Sequence, residues 1–340
     1  MALKDALFYP VTGKLAKFGC KSKISIVGIG SVGMASAYTI LVQGICGELV
    51  LVDVSEERIK GEVMDLVHGQ QFLPSCAIYG GTDYKLTEKS DIVIICAGAR
   101  QREGESRLNL VQRNVDVFKN IIIPVIKHSP ECMIIVVSNP VDILSYVAWK
   151  ISGFPRSKVF GTGTMLDSAR FRYLLGQKLG VSPTSIHGYI IGEHGDHSVP
   201  VWSTVNVAGN TLKAMLPKLG APDDPDEFCE VYNDVVKSAH NIIKLKGYTS
   251  WAIGATVAAL CNSILKNRQN IFALSTLTKS YLTNLQNLGG IDKELFLSLP
   301  CVVTSSGISH IVPMHLTDHE SSELFKTAKV MEDIIRDIKW

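Results

Sequence analysis

The stretch "KISIVGIGSVGMASAYTILVQGICGELVLVD", residues 23–53, decides how the rest of the chain is read. It opens with "KISIVGI" (23–29), an apolar run suited to a strand buried on both faces. Gly28-Ile29-Gly30-Ser31-Val32-Gly33 follows as G-x-G-x-x-G and leads into a helical stretch. A second run, "ELVLVD" (48–53), ends in Asp53, twenty residues past Gly33. Glycines at these points permit a tight turn and let the backbone approach a pyrophosphate. The helix N-terminus behind them offers N–H donors and the positive end of its dipole. A carboxylate at position 53 accepts from a ribose 2′-hydroxyl and repels a 2′-phosphate, so the pattern predicts NAD over NADP. Alone, the three glycines could do no more than let a helix pack on a strand. The strand before them and the acid after them make the case for a dinucleotide.

The same stretch is charge-free for 24 residues, from Ile24 to Gly47, the length of a membrane span. Five glycines, several serines and a glutamine within it argue against a span. Outward from this unit, "DIVIICAG" (91–98), "MIIVVS" (133–138) and "KVFGTG" (158–163) read as further strands. Helical patterns lie between them. "SEERIKGEVMDLVHG" has Ser55 as N-cap and places Ile59, Val63, Leu66 and Val67 on one face. "RLNLVQRNVDVFKNIIIPVIKH" carries Pro124, expected to bend it. Repeated strand–helix–strand units with right-handed crossovers predict an α/β fold with a doubly wound parallel sheet (Rossmann).

After residue 163 the texture changes to hairpin-like segments, a Pro- and Asp-rich loop (217–227), two long helices and late strands, which predicts a mixed α+β substrate domain. The closing helix carries a capping box, Thr317 to Glu320, and sets Leu324, Ala328, Met331, Ile335 and Ile338 at helical spacing. The division expected is an N-terminal arm (1–20), an NAD-binding domain (21–162) and a substrate domain (163–340).

Composition narrows the function classes. The 340 residues are 46% hydrophobic and 19% charged, with net charge +2 and interspersed signs, so no nucleic-acid face is indicated. The N-terminal residues lack an apolar signal core and the first Arg is Arg58, which predicts a cytoplasmic protein with no membrane partner. Eight scattered cysteines without a C-x-x-C pair read as buried, reduced thiols.

A nicotinamide cofactor exchanges hydride with a carbon bearing a hydroxyl, whose proton must also move. That needs a base of near-neutral pKa, a carboxylate to hold it and a cation to polarise the carbonyl. "GEHGDHSVPVW" (192–202) offers His194 between Glu193 and Asp196, with Gly192 and Gly195 leaving little bulk around the ring. A metal site there is disfavoured: His194 and His197 are three apart, but no Cys pair or H-E-x-x-H accompanies them. A nucleophilic Ser or Cys mechanism lacks its local motifs.

Over nearly its whole length the chain resembles the animal-type L-lactate dehydrogenases of the lactate/malate dehydrogenase superfamily. The motifs that carry this are "AGARQREGESRLNLVQRNV" (97–115), "VSNPVDILSYVAWKISGFP" (137–155), "LDSARFRYLLG" (166–176), "GEHGDHSVPVWS" (192–203) and "KGYTSWAIG" (246–254). The resemblance implies interconversion of pyruvate and L-lactate with NAD, and a homotetramer whose N-terminal arms embrace neighbouring subunits. It implies that His194 exchanges the hydroxyl proton and that Asp167 holds its ring. Arg107 would polarise the substrate carbonyl, and Arg170, on the helix face of Asp167, would grip the substrate carboxylate. Asn139 would contact substrate and the nicotinamide ribose, Thr249 would border the substrate, and Ile253 and Arg100 would touch the cofactor. Gln101, six residues before Arg107, matches the substrate-discriminating position, where malate-specific relatives have Arg.

There are departures. Arg102 stands where Gln is expected; a one-residue slip of this loop would bring it to the pocket and favour oxaloacetate, making malate dehydrogenase the alternative. Met165 replaces a common Asn, Tyr189 a frequent Trp and His197 a frequent Ser, and the segment 278–290 is longer than usual. Non-catalytic structural reuse of the fold is the remaining alternative.

Overall fold

A computed structural model describes residues 22–99, 107–279 and 294–340, the side chains of Arg107 and Leu108 excepted. The N-terminal arm and most of the long 278–290 segment lie outside these residues.

β1 (Lys23–Val27), β2 (Glu48–Val52), β3 (Ala77–Gly81), β4 (Ile92–Ile95), β5 (Met133–Val136) and β6 (Val159–Gly161) pair in parallel in the order 3-2-1-4-5-6. This is the doubly wound arrangement expected from the alternating runs. All four residues of β4 and of β5 are buried, which is why these segments are apolar without alternation. The helices are α1 (Ser31–Val42), α2 (Glu56–His68), α3 (Arg107–His128) and α4 (Val141–Ser152). Ser55 caps α2, its Oγ accepting from the Arg58 N–H. Ile59 and Leu66 are buried, whereas Val67, expected on the inner face, is 40% exposed. The buried stripe of α2 is thus narrower than its apolar residues suggest. α3 continues through Pro124.

The same sheet runs on into the second half of the chain. β12 (Ile271–Leu277) pairs antiparallel with β6 and with β13 (Phe296–Thr304), and β13 pairs with β8 (Ile190–Gly192), which forms a hairpin with β9 (Ser198–Pro200). α5 (Met165–Leu179), α7 (Cys229–Lys246), α8 (Trp251–Leu265) and α9 (Asp318–Arg336) complete the long helices, with a short α6 (Leu212–Met215) and the two-residue strands β7 (Ile186–His187), β10 (Asn206–Val207) and β11 (Asn210–Thr211) between. α9 carries the expected capping box and buries Leu324, Ala328 and Met331. α8 crosses α1 where Gly254 meets Ala35; a Cβ at Gly254 would lie 2.8 Å from the Ala35 carbonyl carbon. This contact sets the start of α8 against the start of α1, beside the glycine turn.

Candidate active site

The strand order reverses between β1 and β4, so their following turns diverge and leave a crevice at the C-terminal ends of the strands. The glycine turn lies there. Gly28 has φ +92°, and a Cβ on it would sit 2.4 Å from the Ala97 nitrogen on the turn after β4. A Cβ on Gly33 would fall 2.0 Å from the Gly28 carbonyl oxygen. These two glycines are needed by the turn itself. Gly30 differs: a Cβ there would meet no protein atom within 4 Å, so the space above it is open. Gly30 is also the N-cap of α1, which has no side-chain cap and no acidic residue in its first turn. Free N–H donors beneath open space are what a pyrophosphate requires.

Asp53 follows β2 on the same rim. Its Oδ2 accepts the Ile29 N–H and its Oδ1 the Val54 N–H, each at 2.8 Å. The carboxylate therefore fixes the glycine turn as well as facing the crevice, a structural duty the sequence pattern did not reveal. An ionised carboxylate has about four lone-pair sites, so capacity remains for a ribose hydroxyl. The open Gly30, the uncapped helix and the placed acid together fit NAD.

The β8–β9 hairpin holds His194 at its tip. Gly192 at φ +87° and Gly195 at φ +148° bracket it, so these glycines serve the bend as well as leaving space around the ring. The N-terminus of α5 is tied to β8: Ser168 Oγ accepts the Ile190 N–H at 3.0 Å, and Thr164 Oγ1 donates to the Ile190 carbonyl at 2.5 Å. This anchoring brings Asp167, in the first turn of α5, to the imidazole. His194 Nδ1 lies 2.6 Å from Asp167 Oδ2, and Arg170 Nη1 donates to Asp167 Oδ1 at 3.2 Å. An ionised carboxylate only accepts, so Nδ1 carries the hydrogen and Nε2 is left to exchange a proton.

The carboxylate side chain is 9% exposed and the imidazole 27%, so the ring keeps an open edge while its support is enclosed. Burial pulls the His194 pKa down, but the charge and hydrogen bond of Asp167, with Asp142 adding to them, outweigh burial and the Arg170 charge; the net direction is up. For Asp167 burial works upward, and His194 and Arg170 together more than reverse it, holding the carboxyl below its ordinary range. Each partner thus favours the other's charged form.

Asp142 is the group sequence reasoning missed. It is 1% exposed, near the start of α4, and its Oδ2 accepts the His194 backbone N–H at 2.8 Å. Burial raises its pKa against the hydrogen bonds it receives. An acid early in a helix reads as a dipole partner, and no local signal points 52 residues onward to the His194 loop.

Asn139 lies exposed in the turn between β5 and α4, on the same rim. Thr249 is partly buried just before α8, and Ile253 in the first turn of α8 packs against the core cluster that contains Ile29 and Met165. Met165 is buried in that apolar cluster, where its thioether needs no hydrogen-bond partner. Arg107 begins α3, its side chain outside the description; Arg100, Gln101 and Arg102 lie outside the described residues. Among the described residues, no group of three or more His, Cys, Asp or Glu side chains is placed to hold a metal ion, and no helix is long and apolar enough to cross a membrane.

An imidazole backed by an enclosed carboxylate, together with a dinucleotide cradle, is the equipment of a nicotinamide-dependent dehydrogenase. The profile of the lactate/malate dehydrogenase NAD binding domain matches residues 22–161, and that of the lactate/malate dehydrogenase alpha/beta C-terminal domain matches residues 164–339. The chain belongs to the lactate/malate dehydrogenase family, and its cofactor is NAD. Its relatives include the L-lactate dehydrogenase A chain of Columba livia, 52% identical over the full length of both chains, and that of Danio rerio, 52% identical over 94% of each. The A chain of Rhinogobiops nicholsii is 51% identical over 99% of each.

Proposed function

We propose that the chain is an NAD-dependent L-lactate dehydrogenase that interconverts pyruvate and L-lactate, with His194 as its proton-exchanging residue. The observation that carries this is the 2.6 Å contact between His194 Nδ1 and the enclosed Asp167 carboxylate, in a chain that also holds the open cradle at Gly30. Bound NAD supplies the hydride acceptor for lactate oxidation and, reduced, the hydride donor for pyruvate. The protein does the rest. The α1 N-terminus and Gly30 hold the pyrophosphate, and Asp53 takes the ribose hydroxyl. His194 Nε2 accepts the lactate hydroxyl proton as the carbonyl forms, and returns it in the other direction. Asp167 fixes the tautomer and stabilises the imidazolium; Asp142 fixes the backbone that carries the ring.

Arg170 is held toward the site through Asp167, and its guanidinium fork suits a substrate carboxylate. Arg107, at the start of α3, is assigned the substrate carbonyl, and Asn139, Thr249 and Ile253 the substrate and nicotinamide sides. Arg100 is assigned to the cofactor. Gln101 gives the preference for pyruvate: a neutral amide tolerates a methyl group and offers no positive charge to pair a second carboxylate. The L-lactate dehydrogenase A relatives support the same choice.

NADH oxidation followed by absorbance, with pyruvate and then oxaloacetate, tests the reading. Pyruvate should have the higher kcat/KM. A preference for oxaloacetate would assign the chain to malate chemistry, and no turnover of either would point to non-catalytic reuse of the fold.

We also infer a homotetramer acting in the cytoplasm at the pyruvate end of glycolysis. Tyr38, Tyr248 and Trp251 line one cavity of about 420 Å³ and are 51%, 41% and 63% exposed, an aromatic patch suited to cover by a second copy. Light scattering on the purified enzyme measures the subunit number.

A further inference from the structure

Cys46 and Cys76 stand 30 residues apart in sequence, yet their Sγ atoms are 3.9 Å apart. Cys46 lies in the connection between α1 and β2, two residues before the strand, and Cys76 immediately precedes β3. The Ala77 N–H bonds to the Gly47 carbonyl at 2.9 Å, so the two turns are clamped together where β2 and β3 begin to pair. We propose that this dithiol is a redox modification site: a hydroperoxide converts it to an intramolecular disulfide that staples β3 to the turn before β2, leaving catalysis intact.

The geometry needs little change. The sulfurs must close from contact to a bond of about 2.05 Å, by side-chain rotation from turns already fixed by the strand pairing. Both thiols are buried, at 3% and 4% exposure, but Cys76 lies in a surface segment: its chain neighbours Ser75 and Ala77 are exposed. Cys76 is also set apart from other thiols of the chain. Its hydrogen bond with Cys46 leads the effects that lower its pKa, whereas burial pushes Cys96, Cys132 and Cys301 up to about 12. The thiolate is the reactive species, so Cys76 is the attacking group.

The chemistry balances with a hydroperoxide as oxidant. The Cys76 thiolate attacks the peroxide oxygen; the O–O bond breaks, an S–O bond forms, and the leaving oxygen takes a proton to become water or an alcohol. Cys46 sulfur then attacks the sulfenic sulfur. The S–S bond forms, the S–O bond breaks, and hydroxide leaves as water with the Cys46 proton. Two electrons pass from two thiols to one peroxide. The disulfide encloses β2 and α2, which restricts the unfolded chain and raises Tm. Cys46 precedes β2 while Asp53 follows it, roughly 20 Å along the strand, so cofactor binding is spared.

The test uses the full-length enzyme, reduced, desalted and treated with hydrogen peroxide, then digested with trypsin without reduction. We expect the peptides Ile24–Arg58 and Gly61–Lys85, each with a single cysteine, to appear joined, and six of the eight thiols to remain titratable after denaturation. Tm should rise by several degrees, fall back on treatment with a dithiol reductant, and kcat/KM should change by less than about twofold, as for a distant independent site. In Cys46→Ser the same treatment should leave a sulfenic acid at Cys76 that dimedone traps. Eight thiols surviving treatment, linkage of other cysteines instead, or a link formed only after denaturation would overturn the proposal.

Discussion

Replacing Asp167 by Asn keeps the side chain's shape and removes its charge, so it isolates what the carboxylate does for His194. Two unit charges about 4 Å apart attract by about 4 kcal/mol at an effective dielectric of 20. At about 1.4 kcal/mol per factor of ten, that is a rate effect of up to about 10³ on any step that needs the imidazolium. The ring is 27% exposed, so solvent screens part of the attraction, and Asp142 still faces the loop. We therefore expect a fall in kcat/KM for pyruvate of about 10²–10³ near neutral pH.

The pH dependence carries a sign. Pyruvate reduction needs protonated His194, and Asp167 raises its pKa, so wild-type reduction persists as pH rises and fails only on the alkaline side. Without the charge, that fall should move to lower pH. The pair's contribution to stability follows the same logic. The His194 part is full in acid and lost as pH rises through its raised pKa, and the Asp167 part is lost as pH falls through its lowered one. NADH absorbance from about pH 5 to 9 covers the relevant range. NADH binding and a melting curve on the same sample check that the variant is folded. A folded variant within about threefold of wild type, with an unmoved alkaline limb, would refute the electrostatic role assigned to Asp167.

Asp53→Ala should weaken discrimination against NADP by about 10-fold or more, the worth of a charged hydrogen bond, read as the ratio of kcat/KM values; an unchanged ratio would remove Asp53 from the ribose. Arg170→Lys should raise KM for pyruvate by about 10-fold or more with a smaller change in kcat, because an ammonium cannot make two parallel bonds. Equal losses in kcat alone would place Arg170 elsewhere. Asp142→Ala leaves the His194 N–H without its acceptor and should cost about 1–3 kcal/mol in urea denaturation, while Asp142→Asn restores an acceptor and much of the stability. Equal costs for both would show that the hydrogen bond is not what Asp142 provides.

The parts of this molecule that sequence revealed are those whose physical cause is local. Gly28, Gly30, Gly33 and Asp53 sit within one strand–helix–strand unit, so their meaning was readable from spacing. Strands β1, β2, β4 and β5 are buried on both faces and read as continuous apolar runs. β3 gives no such signal: "AIYGG" is a short edge strand ending in two glycines, with only Ile78 buried. β12, "IFALSTL", mixes serine and threonine into a buried strand, which hides it from an apolar-run reading. Periodicity puts Val67 on the inward face, but packing decides the width of the buried stripe and leaves it exposed. His194, Asp167 and Arg170 were named through resemblance to a family, and folding brings them within hydrogen-bond contact. Asp142 and the Cys46–Cys76 pair depend on tertiary contacts across 52 and 30 residues, for which a single sequence carries no signal.

The titration of His194 itself tests the proton-exchange chemistry most directly. Ring resonances of isotope-labelled histidine, assigned by the signal absent from His194→Gln, can be followed across pH in the NADH-bound enzyme. We expect its titration midpoint to lie above that of free imidazole side chains, leaving the ring charged and ready to donate when pyruvate arrives. A ring that is already neutral below that midpoint would contradict the assignment of His194 and Asp167 as one acid–base unit.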